Sequence, residues 1–187
     1  FFFLLIIIIT IGCKNKNYYS EAKSIANNLT IDSIIGQMLI IAIPSNKIDE
    51  KTINILKKYK PGGVILFGYN LDNGSCITIT DNLQHMAMEY IGIPMFIAID
   101  QEGGRVKRIQ KDVTQFPGNF ALGVNNDPSK VHTMARILGI QLRLLGINMN
   151  FAPVVDINNN PDNPVINIRS FGCKPDLCAT LGHAYIK

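Results

Sequence analysis

Apolar residues run from Phe1 to Ile11 with only Thr10 breaking them, and polar Lys14, Asn15, Lys16 and Asn17 follow. Beyond that stretch one pattern repeats: a short apolar run, a turn, then apolar residues at helical spacing. Gln37 to Ile43 is the first run, ended by Pro44. Ile48, Thr52, Ile55, Leu56 and Tyr59 share one helical face, so a helix is expected over 48–59, stopped by Lys60-Pro61-Gly62-Gly63. A second strand is expected over Val64 to Phe67. Its helix, from about 75 to 90, carries Ile79, Leu83, Met86, Ala87 and Tyr90 at helical spacing. Pro94 opens a third strand over Met95 to Ile99, which delivers Asp100. A long loop containing Phe116-Pro117-Gly118 follows. Asp127-Pro128 then reads as a helix start, because Asp can cap and Pro fits the first turn. Val131, Met134, Ala135, Leu138, Leu142 and Leu145 form that helix's apolar stripe, and Gly146 stands where a left-handed residue is wanted. Asn148 to Ile157 contains a fourth strand, expected to end at Asp156. Pro175 and Asp176 open a fourth helix.

These strands are short and continuously apolar, the pattern of parallel strands covered by helices. The fold class is therefore α/β. Four β/α units in series fit a doubly wound sheet, or a partial (β/α)8 TIM-type barrel with about its first four units, truncated at the C-terminus. No Gly-x-Gly-x-x-Gly follows any strand, which removes support for a dinucleotide-binding version. In both architectures the active face lies at the C-terminal ends of the strands. Tyr69, Asn70, Asp100 and Asp156 are expected there.

Composition narrows the function classes. Of 187 residues, 47% are apolar and 17% charged, which is a folded domain and not a disordered chain. The formal charge of +4 is scattered with no dense Lys/Arg block, so no nucleic-acid partner is expected. The apolar front is shorter than the roughly 20 residues that span a bilayer as a helix. It fits the core of an export signal whose basic start is absent. Gly12-Cys13 followed by polar residues resembles a bacterial lipoprotein processing site, in which Cys13 would be lipidated. Residues 1–13 are thus expected to be a signal segment, 14–28 a polar tether and 29–187 the folded domain. The protein is expected to be exported, either periplasmic or attached to the membrane through Cys13. Cys76, Cys173 and Cys178 are expected to be ordinary buried thiols. No Cys/His spacing suggests zinc, and neither metal nor cofactor is expected.

The densest chemistry is Asp100-Gln101-Glu102-Gly103-Gly104-Arg105-Val106-Lys107-Arg108. An acid at a strand end, a tight glycine turn and two arginines suit a polyhydroxylated ligand, since the acid accepts from hydroxyls and the arginine donates. Asp100 and Glu102 could form a catalytic carboxylate pair of the retaining kind, about 5–5.5 Å apart. The alternative, favoured here, pairs Glu102 with nearby Arg105 and leaves Asp100 free for ligand. Asp156 either caps a loop or serves the site. Arg169 lies beyond the fourth strand between Ile168 and Phe171, on the expected active face. His85, His132 and His183 lie in helices and are expected to be packing or surface residues. There is no Gly-x-Ser-x-Gly elbow and no Walker-type loop.

At these residues the chain resembles the N-terminal barrel domain of glycoside hydrolase family 3. The matching stretches are Ile35-Gly36-Gln37-Met38-Leu39, Gly62 to Phe67 with Asn70, Ile99 to Val106, Phe116-Pro117-Gly118, Ala121-Leu122-Gly123, Asn150 to Asp156 and Arg169-Ser170-Phe171-Gly172. Asp-Gln-Glu-Gly-Gly-Arg-Val most resembles the bacterial β-N-acetylglucosaminidases (β-N-acetylhexosaminidases) of that family. The resemblance implies that Asp100, Arg108 and Arg169 contact N-acetylglucosamine before the scissile bond, while Glu102, Arg105 and Asp156 shape the face. It implies hydrolysis of terminal β-linked N-acetylglucosamine from cell-wall fragments or chitin-type oligosaccharides by retention. It also implies that the Asp nucleophile and Asp–His acid/base loop lie beyond Lys187, so that residues 1–187 alone are inactive. Three further readings stay open: a family 3 β-glucosidase or β-xylosidase, a non-catalytic sugar-binding surface lipoprotein, and a doubly wound ligand-binding domain that merely shares the β/α order.

Overall fold

The structure, a computed structural model, describes residues 18–71 and 76–187. In chain order the elements are α1 (Tyr18–Asn27), α2 (Ile31–Gln37), β1 (Ile40–Ala42), α3 (Glu50–Tyr59), β2 (Gly63–Leu66), α4 (Cys76–Tyr90), β3 (Phe96–Ile99), α5 (Asn119–Asn125), α6 (Pro128–Leu144), β4 (Met149–Asn150) and α7 (Pro175–Ile186). Short 3-10 turns occupy Gly68–Asn70 and Asn167–Arg169.

The helices begin where capping chemistry allows. The Asp49 carboxylate accepts the Thr52 N–H at 2.8 Å to start α3, and Lys60 ends that helix in the left-handed region at φ 45°. Asp127 accepts the N–H groups of Ser129 and Lys130 to start α6, with Pro128 in its first turn. Leu145 and Gly146 (φ 81°) end it.

The strands form one parallel sheet in the order β1-β2-β3-β4. Val64 pairs with Ile41 on one side and Ile97 on the other, and Ile99 pairs with Asn150. A doubly wound sheet reverses its strand order at a switch point, whereas a barrel adds each strand beside the last. The sequential order is barrel winding, and it decides between the two architectures.

Val64, Leu66, Ile97 and Ile99 are fully buried against Ile79 and Leu83 of α4 and Leu138 and Leu142 of α6. A second cluster beneath α5, α6 and α7 holds Leu122, Val131, Met134, Phe171, Cys178 and Leu181. Among the described residues no helix is long and apolar enough to cross a membrane.

Five sequence expectations need correction. Asn119–Asn125 of the expected loop is helix α5. Residues 18–27 of the expected tether are helix α1. The expected first strand over 37–43 shrinks to Ile40–Ala42, because Thr30 caps α2 and that helix runs to Gln37. The Gln37 amide then donates to the carbonyls of Lys60 and Pro61, at 2.9 and 3.3 Å, and joins α2 to the start of β2. The fourth strand does not reach Asp156. Its pairing ends where the Phe151 N–H donates to Ile99 O at 2.8 Å, and Pro153 has no N–H to continue it. Finally, Cys173 is exposed, while Cys76 is partly buried and Cys178 buried. Cys13 lies outside the described residues. His85, His132 and His183 are exposed on their helices.

Ile97 is fully buried at the centre of the sheet. Its replacement by Ala is expected to destabilise the fold by about 2–5 kcal/mol, measured as a shift in the denaturant midpoint at unchanged slope.

Candidate functional site

β3 delivers Asp100 at its C-terminal end, and its carboxylate accepts a hydrogen bond from Arg108 Nη2 at 2.8 Å. The Arg108 guanidinium sits 5.5 Å from the centre of the Phe67 ring, just past β2. Phe67 in turn stacks on Tyr69, with centroids 5.8 Å apart and planes 11° from parallel. Tyr69 is held from the other side, since its hydroxyl donates to Ile43 O at 3.1 Å. Arg108 is therefore fixed both by charge and by an aromatic face.

Between these two residues the chain turns back on itself. Gly103 and Gly104 have φ of 89° and 57°. A Cβ at Gly103 would come within 2.8 Å of Pro117 O, and one at Gly104 within 2.8 Å of Gly118 Cα, so backbone conformation and space both demand glycine. The Glu102 N–H donates to Val106 O at 2.9 Å and the Gly104 N–H to Phe116 O at 3.0 Å. The turn is thereby packed against Phe116-Pro117-Gly118.

This reversal sends Glu102 inward. Its side chain is only 5% exposed, and both of its oxygens are taken by Arg169: Nε donates to Oε2 at 3.0 Å and Nη2 to Oε1 at 2.6 Å. Arg169 Nη1 also donates to Val165 O at 3.2 Å. The hydrogen bond to Glu102 holds the Arg169 guanidinium above its ordinary pKa. Burial opposes this, and the charges of Glu102, Asp100 and Asp156 add to it. The buried Asn119 amide fixes the backbone beneath, donating to Arg169 O at 2.8 Å and Val154 O at 3.4 Å. A cavity of about 210 Å³ lies beside the pair, between the glycine turn, the start of α5 and Ile168.

The structure thus brings Asp100, Arg108, Glu102 and Arg169 to the C-terminal rim of the sheet. Two expectations fail there. Glu102 pairs with Arg169 and not with Arg105, which the turn leaves exposed at its tip. Asp100 is not free, because Arg108 holds it. Asp156 is an exposed loop residue, and its charge acts on Arg169. Its backbone carbonyl, not its carboxylate, organises the loop, accepting the Ser170 hydroxyl at 2.6 Å.

Sequence reasoning missed Phe67, Asn119, Asn150 and Gln101. For Gln101 and Asn150 the available signal was a polar amide at the end of an apolar strand, which must find partners once buried. Asn150 shows the result: its Oδ1 accepts the Gln101 N–H and its Nδ2 donates to Gln101 O, both at 3.0 Å. The site can therefore offer forked N–H donors beside carboxylate acceptors, held in place before any ligand arrives. Arg108 Nε is buried and without a hydrogen-bond partner among the described residues. Those residues contain no group of three or more His, Cys, Asp or Glu side chains placed to hold a metal ion.

Residues 30–187 match the family described as the glycosyl hydrolase family 3 N terminal domain. The chain is similar to "Beta-hexosaminidase A" of Pseudoalteromonas piscicida, at 44% identity over 139 residues, covering 71% of this chain and 23% of that protein. It is similar to the solved glycoside hydrolase family 3 beta-N-acetylglucosaminidase from Paenibacillus sp. str. FPU-7, at 40% identity and TM-score 0.81, covering 84% of this chain and 30% of that one. It is also similar to NagZ from Neisseria gonorrhoeae in complex with N-trifluoroacetyl-D-glucosamine, at 29% identity and TM-score 0.70, covering 79% and 45% of the two chains. The chain spans less than half the length of each of these relatives.

Glu102 is far more buried than Arg169, at 5% against 29% side-chain exposure. Removing the arginine strands a buried charge, while removing the acid leaves a guanidinium that water can reach. Arg169→Ala is therefore expected to cost more stability than Glu102→Ala, about 3 kcal/mol or more for the former. Equilibrium unfolding of the two variants checks the order.

Proposed function

The chain belongs to glycosyl hydrolase family 3 through its N-terminal domain, and from that premise we propose that it forms one wall of the sugar site of a β-N-acetylhexosaminidase. The observation that carries this reading is the convergence of two acid–guanidinium pairs on the C-terminal rim of a sequentially wound parallel sheet. Asp100 would accept from ring hydroxyls of a terminal N-acetylglucosamine, and Arg108 and Arg169 would donate to its oxygen substituents. The enzymes named among the relatives act on, or carry, sugars of this class, which supports the same substrate here.

The chemistry would need groups beyond these. Both Glu102 oxygens are occupied by Arg169, so neither is available to attack an anomeric carbon or to protonate a leaving oxygen there. Asp100 is held by Arg108 on one oxygen and suits binding better than displacement. In this proposal a retaining reaction takes its nucleophile and its acid/base from polypeptide outside residues 1–187, and the present residues orient the sugar and hold it while the covalent intermediate forms and is hydrolysed. Glu102 and Asp156 act on Arg169 and shape the rim, while Arg105 lines its outer edge. Export with attachment through a lipidated Cys13 belongs to the same reading and is supported by the sequence pattern alone.

Hydrolysis of p-nitrophenyl N-acetyl-β-glucosaminide by the full-length polypeptide tests the proposal. Asp100→Ala and Arg108→Ala are each expected to lower kcat/KM by about tenfold to a hundredfold, the loss of one or two charge-assisted hydrogen bonds to the sugar. Residues 18–187 alone are expected to release no p-nitrophenol. Preference for the glucoside or xyloside over the N-acetylglucosaminide would overturn the substrate assignment, and activity of the shortened chain would overturn the division of labour.

A further inference from the structure

Asp100 and Arg108 are separated by eight positions, yet their side chains meet at 2.8 Å. Next to Asp100 stands an uncharged residue, Gln101, whose side chain reaches the backbone of Arg108. Gln101 is 2% exposed. Its Oε1 accepts two backbone N–H groups, from Arg108 at 2.7 Å and from Ile109 at 3.0 Å, and its Nε2 donates to Ile109 O at 3.1 Å. Its own backbone is held on both polar groups by the Asn150 amide at the end of β4. One carboxamide thus ties the end of β3 to the backbone of the arginine that returns beside it.

We propose that Gln101 is a positioning residue, which holds the Arg108 guanidinium against Asp100 so that a sugar meets a preformed pair. Gln101 acts through Arg108 and touches no ligand itself. The proposal rests on the reading of Asp100 and Arg108 as sugar-binding residues. The side chain required is narrow: two acceptor lone pairs and a donor on one planar group. Leu would leave the N–H groups of Arg108 and Ile109 buried and unmet. Glu, when ionised, would keep both acceptors but turn a second oxygen toward Ile109 O; when protonated it would donate there and close the clamp again.

Binding of N-acetylglucosamine to the full-length polypeptide, followed by calorimetry with thermal unfolding alongside, tests this. Gln101→Leu and Arg108→Ala are each expected to weaken binding by about tenfold or more. The double variant is expected to bind no more weakly than Arg108→Ala alone, because the first residue works only through the second. Gln101→Glu is expected to bind poorly near neutrality and to recover relative to the wild type at the same pH as the solution is acidified and the introduced carboxyl takes up a proton. A purely structural role predicts additive losses in the double variant and, for Gln101→Glu, binding that changes only as thermal stability changes, and either result overturns the proposal. So does wild-type binding by Gln101→Leu. Should Gln101→Leu fail to fold, the acid recovery of Gln101→Glu decides alone. If Arg108→Ala binds as the wild type does, the sugar-binding reading itself is wrong and the inference falls with it, a failure distinct from the others.

Discussion

A carboxylate buried at the end of a β-strand must be neutralised, and at Glu102 the partner comes from 67 residues further along the chain. That one requirement organises the rim. To meet it, the chain after β4 must return over the sheet and deliver Arg169 through a 3-10 turn. The Asn119 amide, at the start of α5, then holds the carbonyls of Val154 and Arg169 from below. The Glu102–Arg169 pair, with Asn119 beneath it, therefore joins the β3 loop, α5 and the segment before α7.

The second pair, Asp100 with Arg108, is more exposed, at 23% and 31% of the side chains, and is built locally. It follows from β3 and from the glycine turn that reverses the chain. The two pairs differ in kind. In one the acid is buried with both oxygens engaged, which suits a scaffold. The other is partly exposed and, among the described residues, binds through one carboxylate oxygen and one guanidinium nitrogen, which suits a ligand. Arg169 belongs to both roles, since Glu102 takes its Nε and Nη2 edge while the charges of Asp100 and Asp156 also act on it.

Much of this was legible in the sequence. Apolar runs and helical spacing placed β2, β3, α3, α4, α6 and α7 within a few residues, because these elements are set by burial against one core. Asp100, Glu102, Arg108 and Arg169 do meet at the rim, as their places after β3 and β4 lead one to expect. Their pairing was not legible. Proximity in sequence favoured Glu102 with Arg105, but the positive φ angles of Gly103 and Gly104 turn Arg105 away from Glu102, a consequence of backbone geometry that residue spacing does not express. The same limit hid the extent of the fourth strand: Val154 and Val155 look like strand residues, and the loss of the ladder at Pro153 decides otherwise. Gln101 was overlooked because an uncharged amide beside two acids attracts no attention until its burial is known.

Where a sugar sits is the most direct test of these roles. A crystal structure of the full-length polypeptide with N-acetylglucosamine bound is predicted to show ring hydroxyls within hydrogen-bonding distance of the side chains of Asp100, Arg108 and Arg169, with the Glu102–Arg169 pair intact behind them. A sugar bound at the opposite, N-terminal end of the strands, or on the rim with none of those three side chains touching it, would contradict them.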